Sequence, residues 1–524
     1  MHRNSAVLLV GLLALALPAR AEIKLSKVFS PHMVLQRGMP APIWGTANPL
    51  EKVVVTFRDQ TKETTADDKG MWSVKLDPLT PGGPDVLKIG EKTIEDVLVG
   101  DVWVGSGQSN MDMPVLSYVS NDPVLARNAG QSHPKLRLLL KGATDTWQLS
   151  TPETNSHMSA LLFSFGQDLQ SKIEVPVGIM VGAVGGTPSG FWLSERMYRD
   201  DAACAEEVKA FAPGYPYEAL QKKYLEEKAA YDKAFAEWKP LAEAATKEGQ
   251  EVPKPPRAPI SVGRAGETNF GKVGQLFEAF IRPYVGYAIK GVLWDQGESK
   301  TNIVGVGQVT LMGALIRGWR QDWGQGDFPF LYVEKPSGGG CAWDYSQPET
   351  AKADAFAPLP ATLPPPPDAD YSHVVFTRIM QYPNTHMVTT SDLGSGIHPP
   401  NKSGYGARAA RVALGTAYGQ DIEWLGPVYA SHEITDDHIT LKFTHTGKGL
   451  AFKNGTQLQG FAIAGEDRKF FWAQATIEGG SVVVRSAEVP HPVAVRYAWS
   501  GRFPWANLFN QDGLPAQPFR TDDW

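Results

Sequence analysis

Apolar and polar positions change their rhythm twice along the chain. Up to residue 96 they alternate in short runs. Residues 53–57 and 72–76 predict strands, with turns supplied by Asp67-Asp68-Lys69-Gly70 and Pro81-Gly82-Gly83-Pro84. From there the apolar runs become continuous, at 97–104, 135–140, 177–184, 288–294, 328–333 and 387–390. Runs of that length predict strands buried on both faces. Helical periodicity lies between several of them, over 160–172 and 273–285, and again around 402–418. Alternation of this kind predicts an α/β fold with a mostly parallel sheet covered by helices on both faces. The rhythm then returns to short strands, at 438–443, 459–464, 481–485 and 494–499.

The pattern divides the chain into an N-terminal β region over 22–96, a central α/β region over 97–420 and a C-terminal β region over 421–524, both flanks sandwich-like. Two insertions interrupt the centre. Over about 215–258, Leu220, Tyr224, Tyr231, Phe235 and Trp238 mark one face of a Lys/Glu-rich helix that ends at Pro253-Lys254-Pro255-Pro256. It reads as a packed arm or as a lid. Over 336–370 runs a loop containing Gly338-Gly339-Gly340 and a proline cluster at 364–367, long enough to be mobile or functional.

The first 21 residues have a different character. His2-Arg3 precedes an apolar run over 6–17, and Ala19-Arg20-Ala21 is a small-x-small cleavage site. These are the three parts of a secretory signal peptide, with cleavage expected after Ala21 and a secreted or periplasmic product. The run is too short for a bilayer, so no span is expected after cleavage. Export permits disulfides, but only Cys204 and Cys341 exist, free to pair once or to stay reduced. The net charge of -6 and the absence of a basic stripe give no footprint for nucleic acid. Neither a phosphate-binding loop nor a Cys/His metal cluster occurs, so no cofactor or metal is called for. Oligomeric state is not legible.

Candidate chemistry collects at the ends of the central strands. Gly105-Ser106-Gly107-Gln108-Ser109-Asn110-Met111 follows the first. A lone Gly-x-Ser reads first as a strand followed by a polar turn, and only then as a nucleophile. Gly185-Gly186-Thr187 ends the third strand, Trp294-Asp295-Gln296-Gly297-Glu298-Ser299 the fourth, and Ile397-His398-Pro399-Pro400-Asn401-Lys402 follows the sixth. Strand ends of one parallel sheet meet in space. A serine, a histidine, close-approach glycines and an amide could therefore share a crevice, supplying nucleophile, base and oxyanion hole.

In order and content these four blocks resemble the sialate O-acetylesterase family of the SGNH hydrolase superfamily. Val493-Ala494-Val495-Arg496-Tyr497-Ala498-Trp499 and Gly513-Leu514-Pro515 are similar to its C-terminal β region. The resemblance implies an SGNH-type α/β/α sandwich that removes O-acetyl groups from sialic acid or an acetylated polysaccharide. Ser109 would be the nucleophile and His398 the general base. Backbone N–H groups of Ser109 and of Gly185 or Gly186, with the Gln296 amide, would hold the oxyanion. Gln108, Asn110, Thr187, Trp192 and Glu298 would line the substrate. Trp192 and Trp294 are equally readable as core rings, and Gln296 as a cap on its strand end.

One departure stands out. The superfamily commonly carries an aspartate two or three residues before the histidine, where this chain has Gly396 and Ser395. Asp392, six residues back, is the nearest upstream carboxylate and a possible third triad member. A backbone carbonyl of the 394–396 turn could orient His398 instead, with Asp392 structural. A carboxylate from elsewhere, a dyad and an inactive paralogue also remain open. His133, His157, His373 and His386 lack metal-ligand spacing and read as structural, although Glu153 and His157 could line the pocket. Arg378 resembles a family arginine with a structural place. The alternative to an esterase is an exported carbohydrate-binding protein whose central site is silent.

Overall fold

The structure, a computed structural model, describes residues 23–141, 146–336, 356–394 and 396–524. The expected signal peptide, the 338–340 glycines, Cys341 and Ser395 lie outside these residues. Cys204, on the described side, is buried and unpaired.

The central sheet is built from β1 (Lys92–Gly107), β2 (Leu136–Leu139), β3 (Trp147–Leu149), β4 (Val177–Ala183), β5 (Gly291–Asp295), β6 (Phe330–Val333) and β7 (Thr385–Val388). Their order is β3-β2-β4-β1-β5-β6-β7. All neighbours run parallel except β3, an antiparallel edge strand on β2. The helices that matter to the site are α1 (Ser109–Asp112), α2 (Ala160–Ile173), α3 (Tyr217–Lys247), α4 (Gln308–Trp323), α5 (His373–Ile379) and α6 (Lys402–Thr416).

Period-two alternation in the strands sends neighbours to opposite faces. Leu293 and Leu331 join Ile179, Val181 and residues of α2 and α6 in one core. Val292, Trp294, Phe330 and Tyr332 join residues of α4 and α5 in the core of the other face. A mixed sheet with helices on both sides results. The helix expected over 273–285 is reduced to a π turn at Phe277–Ile281 and a 3-10 turn at Arg282–Tyr284. Pro283 has no N–H to give, and Gly274 and Gly286 take left-handed φ on either side.

The N-terminal region is not set apart at residue 96. β1 runs unbroken through that boundary. Its first half pairs with strands at Val34–Gln36 and Gly82–Ile89, its second half with β4 and β5. Val34, Val55, Ile89 and Val97 share one core with Val292 and Trp294. The C-terminal region instead has its own core, in which Ile439, Leu441, Val482 and Val484 of one four-stranded sheet meet Phe461, Ile463, Val495 and Tyr497 of another.

α3 is exposed along most of its 31 residues. Its Trp238 Nε1 donates to the Pro253 carbonyl at 2.7 Å, and Tyr231, Phe235 and Trp238 stack along one face. All of these contacts lie within the insertion itself. The described part of the second insertion leans on the C-terminal region, where the Ala357 N–H donates to Pro504 O at 3.0 Å and Trp472 Nε1 to Pro360 O at 2.8 Å.

Candidate active site

Gly107 ends β1 at φ 133°, and a Cβ there would lie 2.0 Å from the Asp295 carbonyl oxygen. Only glycine allows this approach of β1 to β5. Gln108 N–H donates to that same carbonyl at 2.9 Å, and the chain then turns into α1 with Ser109 as its first residue. Ser109 is half-buried and His398 exposed, and His398 Nε2 lies 2.8 Å from Ser109 Oγ. This is hydrogen-bond reach for a base and a nucleophile.

Beneath the pair is an ionic floor closed to water. Lys335, just past β6, is fully buried, with Nζ 2.6 Å from Asp295 Oδ1 and 2.8 Å from Glu298 Oε1. Glu298 also accepts from Gln108 Nε2, and from Asn110 Nδ2 at 3.0 Å. The two neighbours of Ser109 in sequence are thus both fastened to one carboxylate. Asn110 reaches further: its Nδ2 donates to the Ile397 carbonyl at 2.9 Å, and its Oδ1 accepts from Lys402 Nζ at 2.6 Å. One amide therefore ties the serine's helix to the residue before His398.

Burial dominates the electrostatics of this floor. It pushes the Asp295 carboxyl upward, against the pull of Lys335 and with the help of Glu298. For Glu298 burial is the largest single influence, but the charge of Lys335 and hydrogen bonds from Lys335, the backbone and Asn110 together outweigh it, and its carboxyl is held below the ordinary range. For Lys335 the two carboxylates overcome burial and hold the ammonium charged. Among the described residues Lys402 has no such ion pair. Burial lowers it to about 7, with Asp295 opposing and Lys335 assisting.

Several expected roles change in this geometry. Gln296 is wholly buried, and its Nε2 donates to Thr187 O at 3.3 Å and to Lys300 O at 3.1 Å. Both amide hydrogens are thereby committed, so Gln296 braces two loops instead of facing an oxyanion. The Gly185 N–H donates to Asp112 Oδ2 at 3.0 Å and is committed too. Ser109 N–H, at the first turn of α1, and Gly186 N–H have no protein acceptor among the described residues. Those two donors remain for an oxyanion.

The proposed substrate-lining set is likewise internal. Gln108 and Asn110 belong to the floor, and Glu298 is their common acceptor. Trp192 is fully buried, donating from Nε1 to Thr187 Oγ1 at 3.0 Å, while Thr187 Oγ1 donates to Val184 O at 2.7 Å. Trp294 is also core, edge-on to Trp192 and Trp319. The surface actually open around Ser109 comes from Gly185, Gly186, Ile397 and His398.

Asp392 does not hold His398. Its carboxylate is buried against Arg408, with Oδ2 3.1 Å and Oδ1 3.3 Å from the guanidinium nitrogens. Among the described residues the His398 ring makes no other hydrogen bond than that to Ser109. The carbonyl of Ser395 lies outside them. His373 bonds through Nδ1 to buried Glu334 at 2.7 Å, and His133 through Nε2 to Asn128 O at 2.8 Å, both structural placements. His386, driven by burial down to about 4, is neutral at physiological pH. No group among the described residues could hold a metal ion.

Lys335 and the Asp112–Lys141 pair escape sequence reasoning. Lys141 Nζ lies 2.7 Å from Asp112 Oδ1 and also donates to the Ala183 carbonyl, so this pair fixes the glycine loop beside Ser109. The signal that could have found Lys335 is its place: it follows a central strand, as Ser109, Gly185 and Gln296 do.

No family model matches the chain. Over 93% of its length it is 27% identical to the sialate O-acetylesterases of Pongo abelii and Homo sapiens, covering 90% of each. It is 26% identical to that of Rattus norvegicus over 97% of both chains. The crystal structure of XAC1771, a carbohydrate acetylesterase from Xanthomonas citri, matches 96% of this chain and all of its own at a TM-score of 0.70 and 26% identity.

Proposed function

We propose that this chain, similar along nearly its whole length to sialate O-acetylesterases and to a carbohydrate acetylesterase, is a carboxylic ester hydrolase that removes O-acetyl groups from a carbohydrate. The observation that carries the mechanism is the 2.8 Å contact between His398 Nε2 and Ser109 Oγ at the carboxyl edge of the sheet. His398 takes the proton from Ser109 as Oγ attacks the acetyl carbonyl carbon. The carbonyl oxygen becomes an oxyanion, received by the N–H groups of Ser109 and Gly186, each such donor worth on the order of 3 kcal/mol of barrier. His398 then gives that proton to the sugar oxygen as its bond to the acetyl carbon breaks, leaving an acetyl ester on Ser109. Water, deprotonated by His398, releases acetate from Ser109.

In this reading the architecture is the SGNH-type α/β/α sandwich with flanking β sandwiches, and the product is secreted or periplasmic. The N-terminal sequence supports export, and no helix among the described residues is long and apolar enough to cross a membrane. Acetate release from p-nitrophenyl acetate, acetylated sialic acid and acetylated polysaccharide, compared between wild type and Ser109→Ala, tests the proposal. Turnover falling by several orders of magnitude in the folded variant is expected. Equal rates in both would overturn it and leave an exported sugar-binding protein.

A further inference from the structure

A cleft of about 990 Å³ lies away from Ser109, between the 366–378 segment and the C-terminal β region. Its composition is unusual. Phe470, Trp499 and Trp524 line it half-buried, and four arginines sit among them. Arg496 lies 4.0 Å from the Phe470 ring centre, Arg520 5.2 Å from Trp499 and Arg468 5.1 Å from Trp524. Arg378 enters from the opposite wall, on α5.

Two of the four arginines are satisfied from within. Arg496 is matched by buried Asp522 at 2.7 Å and donates to the Trp524 carbonyl oxygen at 2.6 Å, and Arg520 shares both, at 3.8 Å and 3.5 Å. Asp368 also lines the cleft, but Lys300 lies 3.5 Å from it. Among the described residues no carboxylate lies within ion-pair distance of Arg378 or Arg468, both exposed. Rings suit the apolar faces of sugars. A guanidinium matches a carboxylate in two parallel hydrogen bonds, and one already resting on a ring loses little freedom in making them.

The cleft is also joined to the active-site loops. Lys300 follows the 296–299 turn that forms the ionic floor, and it bridges to Asp368 and, at 3.8 Å, to Asp370. From the wall carrying Asp368 the chain passes directly through Tyr371 into α5. A chain-like ligand lying in the cleft therefore meets a segment tied to the loop that positions Gln296 and Glu298.

We propose that this cleft is a second saccharide site, which takes carboxylate-bearing sugar units of the polymer that carries the acetyl ester. The inference rests on the carbohydrate-esterase reading for its ligand class, while the site itself is separate. Rings interleaved with the arginines favour a sugar over an acidic peptide, for which charge alone would suffice.

Calorimetric titration of the full chain with oligogalacturonate, neutral xylo-oligosaccharide and polyglutamate tests it. Oligogalacturonate should bind at least tenfold more tightly than either of the others and weaken with added salt. Arg378→Gln combined with Arg468→Gln, both exposed and unpaired, should lower that affinity tenfold or more while p-nitrophenyl acetate turnover stays within twofold. Trp499→Ala should lower it as well. Equal binding of polyglutamate or of the neutral oligomer, or unchanged affinity in the double variant, would overturn the proposal. Binding is read without turnover. A protein that binds oligogalacturonate yet never releases p-nitrophenol would sink the esterase reading and not the cleft.

Discussion

The two tiers of the candidate site are built on opposite principles. Above, Ser109 and His398 are open to solvent and joined by one hydrogen bond. Below, Asp295, Glu298, Lys335 and Lys402 are closed off from water and joined by a continuous set of ionic and amide contacts. The upper tier can be altered at little structural cost. In the lower tier Lys335 is held in place by Asp295 and Glu298, and removing any one of the three leaves a buried charge unmatched. Openness and rigidity have been given to different residues, and Asn110 is the link between them.

The widest separation should appear in His398→Ala. Its turnover of p-nitrophenyl acetate is expected to drop about 10⁴-fold or more. Its unfolding free energy should stay within about 0.5 kcal/mol of wild type, as for a surface position. A large loss of stability would mean that the upper tier also holds the fold.

Lys335→Met should do the reverse. Removing one partner of a buried ion pair costs about 3–5 kcal/mol, since Asp295 and Glu298 are left facing each other without a cation. Urea unfolding would show this as a lowered midpoint. A variant as stable as wild type would show that the floor is not load-sharing and would dissolve the contrast.

The third effect is spread over a range of pH. Lys402 is lowered by burial to about 7 from an ordinary value of 10.5. Between those values the unfolded chain binds the proton and the folded chain does not, so this residue makes stability rise with pH by about 1.4 kcal/mol per unit. Below 7 both states are protonated, and the burial penalty is present in full. Relative to Lys402→Met, wild type should therefore gain stability steadily from pH 7 to pH 10. A pH-independent difference between the two proteins would show that Lys402 stays charged against Asn110.

How much of this could be read in the chain depends on what each residue answers to. The parallel strands were legible because they are buried on both faces and their apolar runs are continuous. α4 was not, since two positions on its packed faces are Gly313 and Gly318, set against Tyr382 and Met197, which weakens the apolar period. The strand ends pointed to Ser109, Gly186 and His398, and the geometry brings Ser109 and His398 together. Gln108, Asn110, Thr187, Trp192, Gln296 and Glu298 lie in the same blocks, yet their polar atoms turn inward. A polar side chain beside a nucleophile has the same letters whether it meets substrate or a buried partner. Lys335, in a Glu-Lys-Pro sequence, looks like solvated loop until β5 supplies Asp295 from forty residues away.

β1 carries one more consequence, for how such a chain can be recombined. The strand that delivers Ser109 begins inside the N-terminal region and shares hydrogen bonds with both its strands and the central sheet. A crossover that exchanged residues 22–96 for those of a relative would have to match a strand register, not merely a linker. The C-terminal region, with a core of its own beyond residue 421, has no strand in common with the sheet that holds the serine. Exchange there leaves the strand that carries Ser109 untouched. The C-terminal end of the molecule can thus be inherited separately from that strand, and the N-terminal end only together with it.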